Sequence, residues 1–226
     1  MKLHKKKEEF REAVLATSSA LGIRDIFVEK DYWVTYILKE LSKSEHVEDV
    51  VFKGGTSLSK AYDLVHRFSE DVDLVILGRE NLSGGQVKSK IKIVEKAIIK
   101  EPLKIDTTFK PSRFSKFRKP GYVYPKLLDA DYKFDHATDT LILEVNAFAN
   151  PCPDEVKSIE SYIAKHLKGV DEALISEYEL ESFEIKVLGL KRTFVEKILS
   201  LLRLSIGDND SFDELKSGLD PVSGYL

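Results

Sequence analysis

The stretch VVFKGGTSLSKAYDLVHRFSEDVDLVIL, residues 50–77, constrains the fold more than any other part of the chain. Two apolar runs suited to buried strands bracket a glycine pair, a helix-forming segment and two aspartates one residue apart. VVFKGG reads as a short buried strand closed by glycines. TSLSKAYDLV reads as a helix, with Leu58, Ala61, Tyr62 and Val65 at i, i+3, i+4 and i+7 and Thr56 placed as its N-cap. DVDLVIL reads as the next strand. Because side chains alternate faces along a strand, Asp71 and Asp73 project on one side while Val72 points the other way.

Two carboxylates so placed repel unless a cation lies between them or one takes up a proton. At the end of a strand bordering a cleft they form a pair of ligands for Mg²⁺, a hard cation that prefers oxygen donors. The preceding KGGTSLSK supplies the complementary half. Gly54 and Gly55 let the backbone approach a bound group closely, and the helix start offers unpaired N–H groups suited to a triphosphate. The GxxxxGK[ST] spacing of a Walker loop is absent. Glycine turn and DVD together point to metal-dependent nucleotide chemistry.

A third acid would complete a site in which metal ions bridge an attacking oxygen and a leaving phosphate. Glu144, in the apolar strand pattern LILEVN, is the first candidate, because an unpaired carboxylate there is expensive to bury. Asp106, in LKIDTTF, has the same form and is the second. Toward the far end, LKRTFVEKILSLLRLS reads as a helix on which Leu190, Phe194, Ile198, Leu201 and Leu204 share a face. Lys197 falls between Leu201 and Leu204 and must either snorkel or meet an anion, such as a nucleotide phosphate. The stretch KPSRFSKFRKPGYVYPK interleaves Lys110, Arg113, Lys116, Arg118 and Lys119 with Phe and Tyr, the composition of an RNA-binding patch or of a solvated basic loop.

Elsewhere the pattern predicts helices over residues 5–21, with Phe10, Val14 and Leu21 on one face, over 29–42 as a core helix, and over GGQVKSKIKIVEKAIIK. Strands are expected at PLKIDTTF, TLILEVNAF and FEIKVL, and residues 110–136 read as hairpin or loop. The expected organisation is a catalytic core over 1–150 with its N-terminal helices, then a mainly helical part over 151–226. Among 226 residues, 42% are hydrophobic, enough for a substantial core and a folded, soluble protein. With 35 Lys and Arg against 38 Asp and Glu, the net charge of −3 excludes a global field for polyanions. Cys152 is the single cysteine, which fits a reducing cytosol. No run reaches the ~18 apolar residues of a membrane span, and the basic start lacks the apolar core of a signal peptide.

With those residues identified, the sequence resembles the AbiEii/AbiGii toxin family of nucleotidyltransferases, a branch of the DNA polymerase β-like superfamily. The resemblance runs through EKDYWVTYIL, VFKGGTSLSKAY, RFSEDVDL and RTFVEKILSLLRLS, roughly residues 29–205. It implies an α+β fold, a polymerase β-like mixed sheet with flanking helices and a mainly helical C-terminal part. It further implies that Gly54, Gly55, Thr56 and Ser57 cradle phosphates, that Asp71 and Asp73 hold Mg²⁺ or Mn²⁺, and that Lys197 steadies the triphosphate. Lys60, Arg67 and Ser69 occupy the remaining polar positions of the motif. The family's C-terminal acidic position could be filled by Asp208, Asp210 or Asp213.

Family members act as cytoplasmic toxins of type IV toxin–antitoxin or phage-abortive systems, each paired with a separately encoded antitoxin. Some add nucleotides to the 3′ end of transfer RNA and so block translation. The implied function is therefore transfer of a nucleotide from an NTP to an RNA acceptor, the tRNA 3′ end. A non-catalytic GTP-binding module and AMP transfer to a protein hydroxyl use the same motif and stay open.

Overall fold

The computed structural model describes residues 1–64, 71–78, 80, 82–127, 140–148 and 150–206. The chain divides into two compact units, Met1–Leu188 and Gly189–Leu226. In the first, α1 (Lys7–Leu21) and α2 (Asp25–Lys43) lead into β1 (Val50–Lys53), α3 (Gly54–Lys60), β2 (Asp71–Ile76) and α4 (Gly84–Ile98). There follow β3 (Lys104–Ile105), β4 (Ser112–Phe114), β5 (Phe117–Lys119), β6 (Gly121–Val123), β7 (Thr140–Asn146) and β8 (Asp154–Ile159). Then come α5 (Tyr162–Leu167), α6 (Ala173–Glu177) and β9 (Phe183–Leu188).

The strands form one mixed sheet in the order β3-β6-β7-β2-β1-β9-β8, with β5 on β7 and β4 on β5. At its centre β2 runs antiparallel to β1 and parallel to β7, and β9 lies parallel to β1 on the far side. Strands β8 and β9, from beyond residue 150, thus belong to the same sheet as the DVD strand. This is the mixed α+β architecture that the sequence predicts.

The alternation of β2 explains how that strand presents charge on one face only. Val72, Leu74 and Ile76 are buried in one hydrophobic cluster with Leu141, Leu143 and Val145 of β7. The same cluster takes in Trp33 and Ile37 of α2 and Val87, Ile91 and Val94 of α4. Each such side chain contributes about 1.5–3 kcal/mol on burial, so register is fixed: a one-residue slip would bury the aspartates and expose the valine and leucine. α4 begins at a capping box in which the Ser83 hydroxyl accepts from the Gln86 N–H and the Gln86 amide oxygen accepts from the Ser83 N–H.

The core helix expected over 29–42 is α2, which begins at Asp25 and is buried along most of its length. Two local expectations need correction. The helix after the glycine pair begins at Gly54, so Thr56 lies inside it and is not an N-cap; its hydroxyl donates to the Asp71 carbonyl. The PLKIDTTF strand shrinks to Lys104–Ile105, because the Asp106 carboxylate accepts from the Thr108 and Phe109 N–H groups and turns the chain.

In the second unit, α7 (Leu190–Ile206) begins where the Thr193 hydroxyl donates to the Gly189 carbonyl. Its side chains Phe194, Ile198 and Leu201 are exposed.

Candidate functional site

The parallel register of β2 and β7 sets Asp73 beside Glu144, and the antiparallel register of β1 and β2 sets Lys53 across from Asp73. Asp71 follows two residues away on the same face. Three carboxylates from two adjacent strands therefore share one face of the sheet. Into them reaches Lys119, from the end of β5: its Nζ lies 3.5 Å from Asp71 Oδ2 and 3.5 Å from Glu144 Oε2. The Asn146 amide donates to Glu144 Oε1 at 3.3 Å and fixes that carboxylate from the other side.

Burial pushes the Asp73 carboxyl up to about 7, with Glu144 and then Asp71 adding like-charge repulsion. Burial pulls the Lys119 ammonium down, but Asp71 and Glu144 outweigh it and the net shift is upward. Burial is thus the first cause at Asp73 and the mutual repulsion of the carboxylates the second, with Lys53 and Lys119 opposing both. Among the described residues no three acidic, histidine or cysteine groups are already drawn together as a metal grip; the Lys119 ammonium stands between Asp71 and Glu144. The donors are all hard oxygens, so the set suits a small divalent cation.

Gly54 is the other half of the site. It adopts φ +81°, and a Cβ on it would stand 1.9 Å from Asp73 Oδ2. A side chain there is excluded by backbone conformation and by the aspartate at once. Gly54 and Gly55 are half-buried, whereas Thr56 and Ser57 are buried, the Ser57 hydroxyl donating to the Gly54 carbonyl at 2.8 Å. A phosphate at this turn would accordingly meet backbone N–H groups rather than these two hydroxyls.

Two other sequence candidates of the first unit, Lys60 and Asp106, are engaged away from this cluster. Lys60 points into the interior, its Nζ 2.6 Å from Asp31 Oδ1 and 2.7 Å from the Glu160 carbonyl. Asp106 Oδ1 accepts from Thr108 and Phe109, and Oδ2 from the Thr140 hydroxyl, so it serves a turn at the sheet's end. Lys197 is exposed on α7 of the second unit. Arg67, Ser69, Asp208, Asp210 and Asp213 fall outside the described residues. The basic stretch divides in two: Arg118 pairs with Glu95, which also accepts from the Tyr122 hydroxyl, and Lys119 joins the carboxylates. Lys110, Arg113 and Lys116 remain exposed.

Sequence reasoning missed Lys119 and Asn146 as members of the cluster. A signal for the second was available, since in LEVN the period of two puts Asn146 on the face of Glu144. None was available for Lys119, whose place depends on a hairpin pairing back onto β7.

The family model for the AbiEii nucleotidyl transferase toxin of type IV toxin–antitoxin systems matches residues 36–212. Among solved structures, MenT4, a nucleotidyltransferase toxin from Mycobacterium tuberculosis H37Rv, is similar with a TM-score of 0.56 at 16% identity. The match covers 83% of this chain and 57% of MenT4. JHP933 from Helicobacter pylori is matched at 20% identity and a TM-score of 0.40, over 76% of this chain and 55% of that one. The chain thus spans little more than half the length of either protein, and the likeness to MenT4 is one of fold. No curated protein sequence matches it.

Proposed function

The chain belongs to the AbiEii nucleotidyltransferase toxin family, and on that premise we propose that it transfers a nucleotidyl group from an NTP to an RNA acceptor, the 3′ end of a transfer RNA. The observation that carries the reading is the convergence of Asp71, Asp73 and Glu144 on one sheet face, with Gly54 held open beside Asp73. In the reaction, the acceptor's 3′-hydroxyl oxygen bonds to the α-phosphorus, the bond from that phosphorus to the β-phosphate bridge breaks, and pyrophosphate leaves as the hydroxyl proton passes to solvent.

Asp71, Asp73 and Glu144 would hold Mg²⁺, or Mn²⁺ in its place, which supplies a lowered hydroxyl pKa and neutralises charge on the departing pyrophosphate. The chain's own residues prepare for this. Asn146 orients Glu144, the sheet register fixes the aspartates, and the turn at Gly54 admits phosphate to within reach of them. The family resemblance adds Lys197 as the charge that steadies the triphosphate, a role tested separately by Lys197→Ala.

Family membership also implies a separately encoded antitoxin, and an RNA acceptor would put the activity in the cytoplasm. Among the described residues no helix is long and apolar enough to cross a membrane.

The test is incubation of the purified protein with each α-³²P-labelled NTP, Mg²⁺ and total cellular RNA, beside an Asp71→Ala/Asp73→Ala control. Label entering a tRNA band with the unaltered protein alone supports the reading and names the nucleotide. Label on protein replaces RNA by a protein hydroxyl as acceptor. No label, with NTP binding retained, replaces the enzyme by a nucleotide-binding module.

A further inference from the structure

Three phenylalanines form a row beside the carboxylate cluster, two of them exposed and Phe117 half-buried. Phe114 ends β4, Phe117 begins β5, and Phe148 lies two residues beyond the end of β7. The Phe117 ring is stacked on Phe148 at a centroid distance of 5.8 Å and an angle of 23°, and Phe114 flanks it at 6.2 Å. Such rings normally close a core, yet Phe114 is 68% exposed and Phe148 54% exposed. Exposed contiguous apolar surface on this scale marks a site of interaction more often than an accident of folding.

The position of the row says what it would meet. On β5, Phe117 and Lys119 share a face by the alternation of strands, and Lys119 touches Asp71 and Glu144. On the neighbouring strand Phe117 pairs with Asn146, whose amide holds Glu144. Two residues of strand span roughly 7 Å, about the spacing of one or two nucleotides from the reacting phosphate. Exposed Lys116 lies at the β4–β5 turn between Phe114 and Phe117, and exposed Lys110 precedes the hairpin; Arg113 pairs across from Arg118 and so faces the other side. Aromatic faces beside isolated cations are a combination that binds single-stranded nucleic acid, stacking on bases while cations meet phosphates.

We propose that Phe114, Phe117 and Phe148 are a stacking platform for the unpaired 3′-terminal bases of the acceptor RNA, with Lys116 on its phosphates. The proposal rests on the RNA-acceptor reading above and adds to it where the acceptor lies. Because every base has an aromatic face, the platform reads single-strandedness at the 3′ end and leaves base identity to other contacts. It also assigns different thermodynamic roles to neighbouring residues: the rings contribute affinity independent of salt, Lys116 affinity that falls with salt.

The experiment measures binding, without NTP, of a short single-stranded RNA carrying a fluorescent base analogue at its 3′ end. The proteins are the unaltered chain, Phe114→Ala, Phe148→Ala, Phe114→Trp and Lys116→Ala. The platform predicts about tenfold weaker binding for each alanine variant at an aromatic position, with loss of analogue quenching and an unchanged salt slope. Phe114→Trp should retain both. Lys116→Ala should instead lower the salt slope by up to ~1.

If Phe114→Ala and Phe148→Ala bind and quench like the unaltered protein, the platform is overturned while the RNA-acceptor reading stands. If those variants weaken NTP binding and not RNA binding, the rings serve the incoming base and the proposal fails equally. If the unaltered chain binds no RNA, both fall together.

Discussion

Lys60 Nζ lies 2.6 Å from Asp31 Oδ1, with 4% and 3% of the two side chains exposed, and the pair joins α2 to the end of the helix that opens at Gly54. The second Asp31 oxygen accepts from the Tyr162 N–H at 2.8 Å, and the Lys60 ammonium also donates to the Glu160 carbonyl and lies over the Tyr162 ring. Burial drives Asp31 up and Lys60 down, toward their neutral forms, and the close pairing opposes both shifts. The bond network therefore anchors α3 from behind, on the side away from solvent.

Removing one partner leaves the other charge buried without compensation. Lys60→Met should lower unfolding free energy by roughly 3–5 kcal/mol, and the Asp31→Leu/Lys60→Met double variant should recover a substantial part of that loss. Urea titration of the three proteins checks it. If Lys60 acted on the nucleotide instead, Lys60→Met would keep its urea midpoint and lose NTP affinity.

Gly54→Ala should disable the site more than it harms the fold. The added methyl would stand 1.9 Å from Asp73 Oδ2 at a backbone φ of +81°, so either the aspartate or the turn must move. Local strain of this kind costs on the order of 1–3 kcal/mol, and displacement of a reacting group by about 1 Å costs on the order of 10²-fold in rate. Nucleotidyl transfer should fall at least that far while thermal unfolding remains cooperative and shifts by only a few degrees. Full transfer by Gly54→Ala would mean that the close approach to Asp73 has no catalytic meaning.

These features were unequally legible in the sequence. The glycine pair and the DVD strand could be read because their signals are local, lying within one strand–turn–helix–strand segment. Glu144 and Asp106 look alike in sequence, each an acid in a short apolar run, and only the parallel pairing of β7 with β2 separates them. Lys119 was legible as a cation, but its neighbours come from strands 25 and 48 positions away in sequence. Strand β8 escaped notice because its exposed edge is covered in charge; Asp154, Glu155 and Lys157 mask the alternation around Val156. On α7 the helical wheel found an apolar stripe, and the structure shows Phe194, Ile198 and Leu201 of that stripe exposed, since a wheel gives a face but not what covers it.

His4 should impose an acid limit on stability. Its Nδ1 lies 2.8 Å from the Tyr32 hydroxyl, amid the Trp33 and Tyr36 rings, and burial first, then Lys5, lowers its pKa to about 4. The unfolded chain takes up this proton near the ordinary value of about 6.5. Above that pH both states are neutral and the residue contributes no pH dependence. Between about 6.5 and 4 the unfolded state binds more proton, so stability falls with pH across that window. His4→Asn, which keeps a polar atom toward Tyr32, should remove this component, visible as a difference between the two curves of melting temperature against pH. Parallel curves from pH 7 to 4 would show that His4 titrates alike in both states.

Lys119→Met should make metal binding tighter and the metal-free protein less stable. The ammonium sits 3.5 Å from both Asp71 and Glu144, so a divalent cation entering among the carboxylates must contend with a charge already there. At such distances the interaction amounts to about 4 kcal/mol at an effective dielectric of 20, but the Lys119 side chain is about one-third exposed, and solvent screening reduces the effect to a fraction of that. An increase in Mn²⁺ affinity of order tenfold, read by electron paramagnetic resonance on the protein without NTP, is the expected result. With no metal present, the three carboxylates would then face one another without the cation that pairs with Asp71 and Glu144, and the melting temperature should drop; saturating Mn²⁺ should restore it. Should Lys119→Met bind Mn²⁺ more weakly than the unaltered protein, Lys119 would be a support that holds Asp71 and Glu144 in place for the cation rather than a competitor for its position.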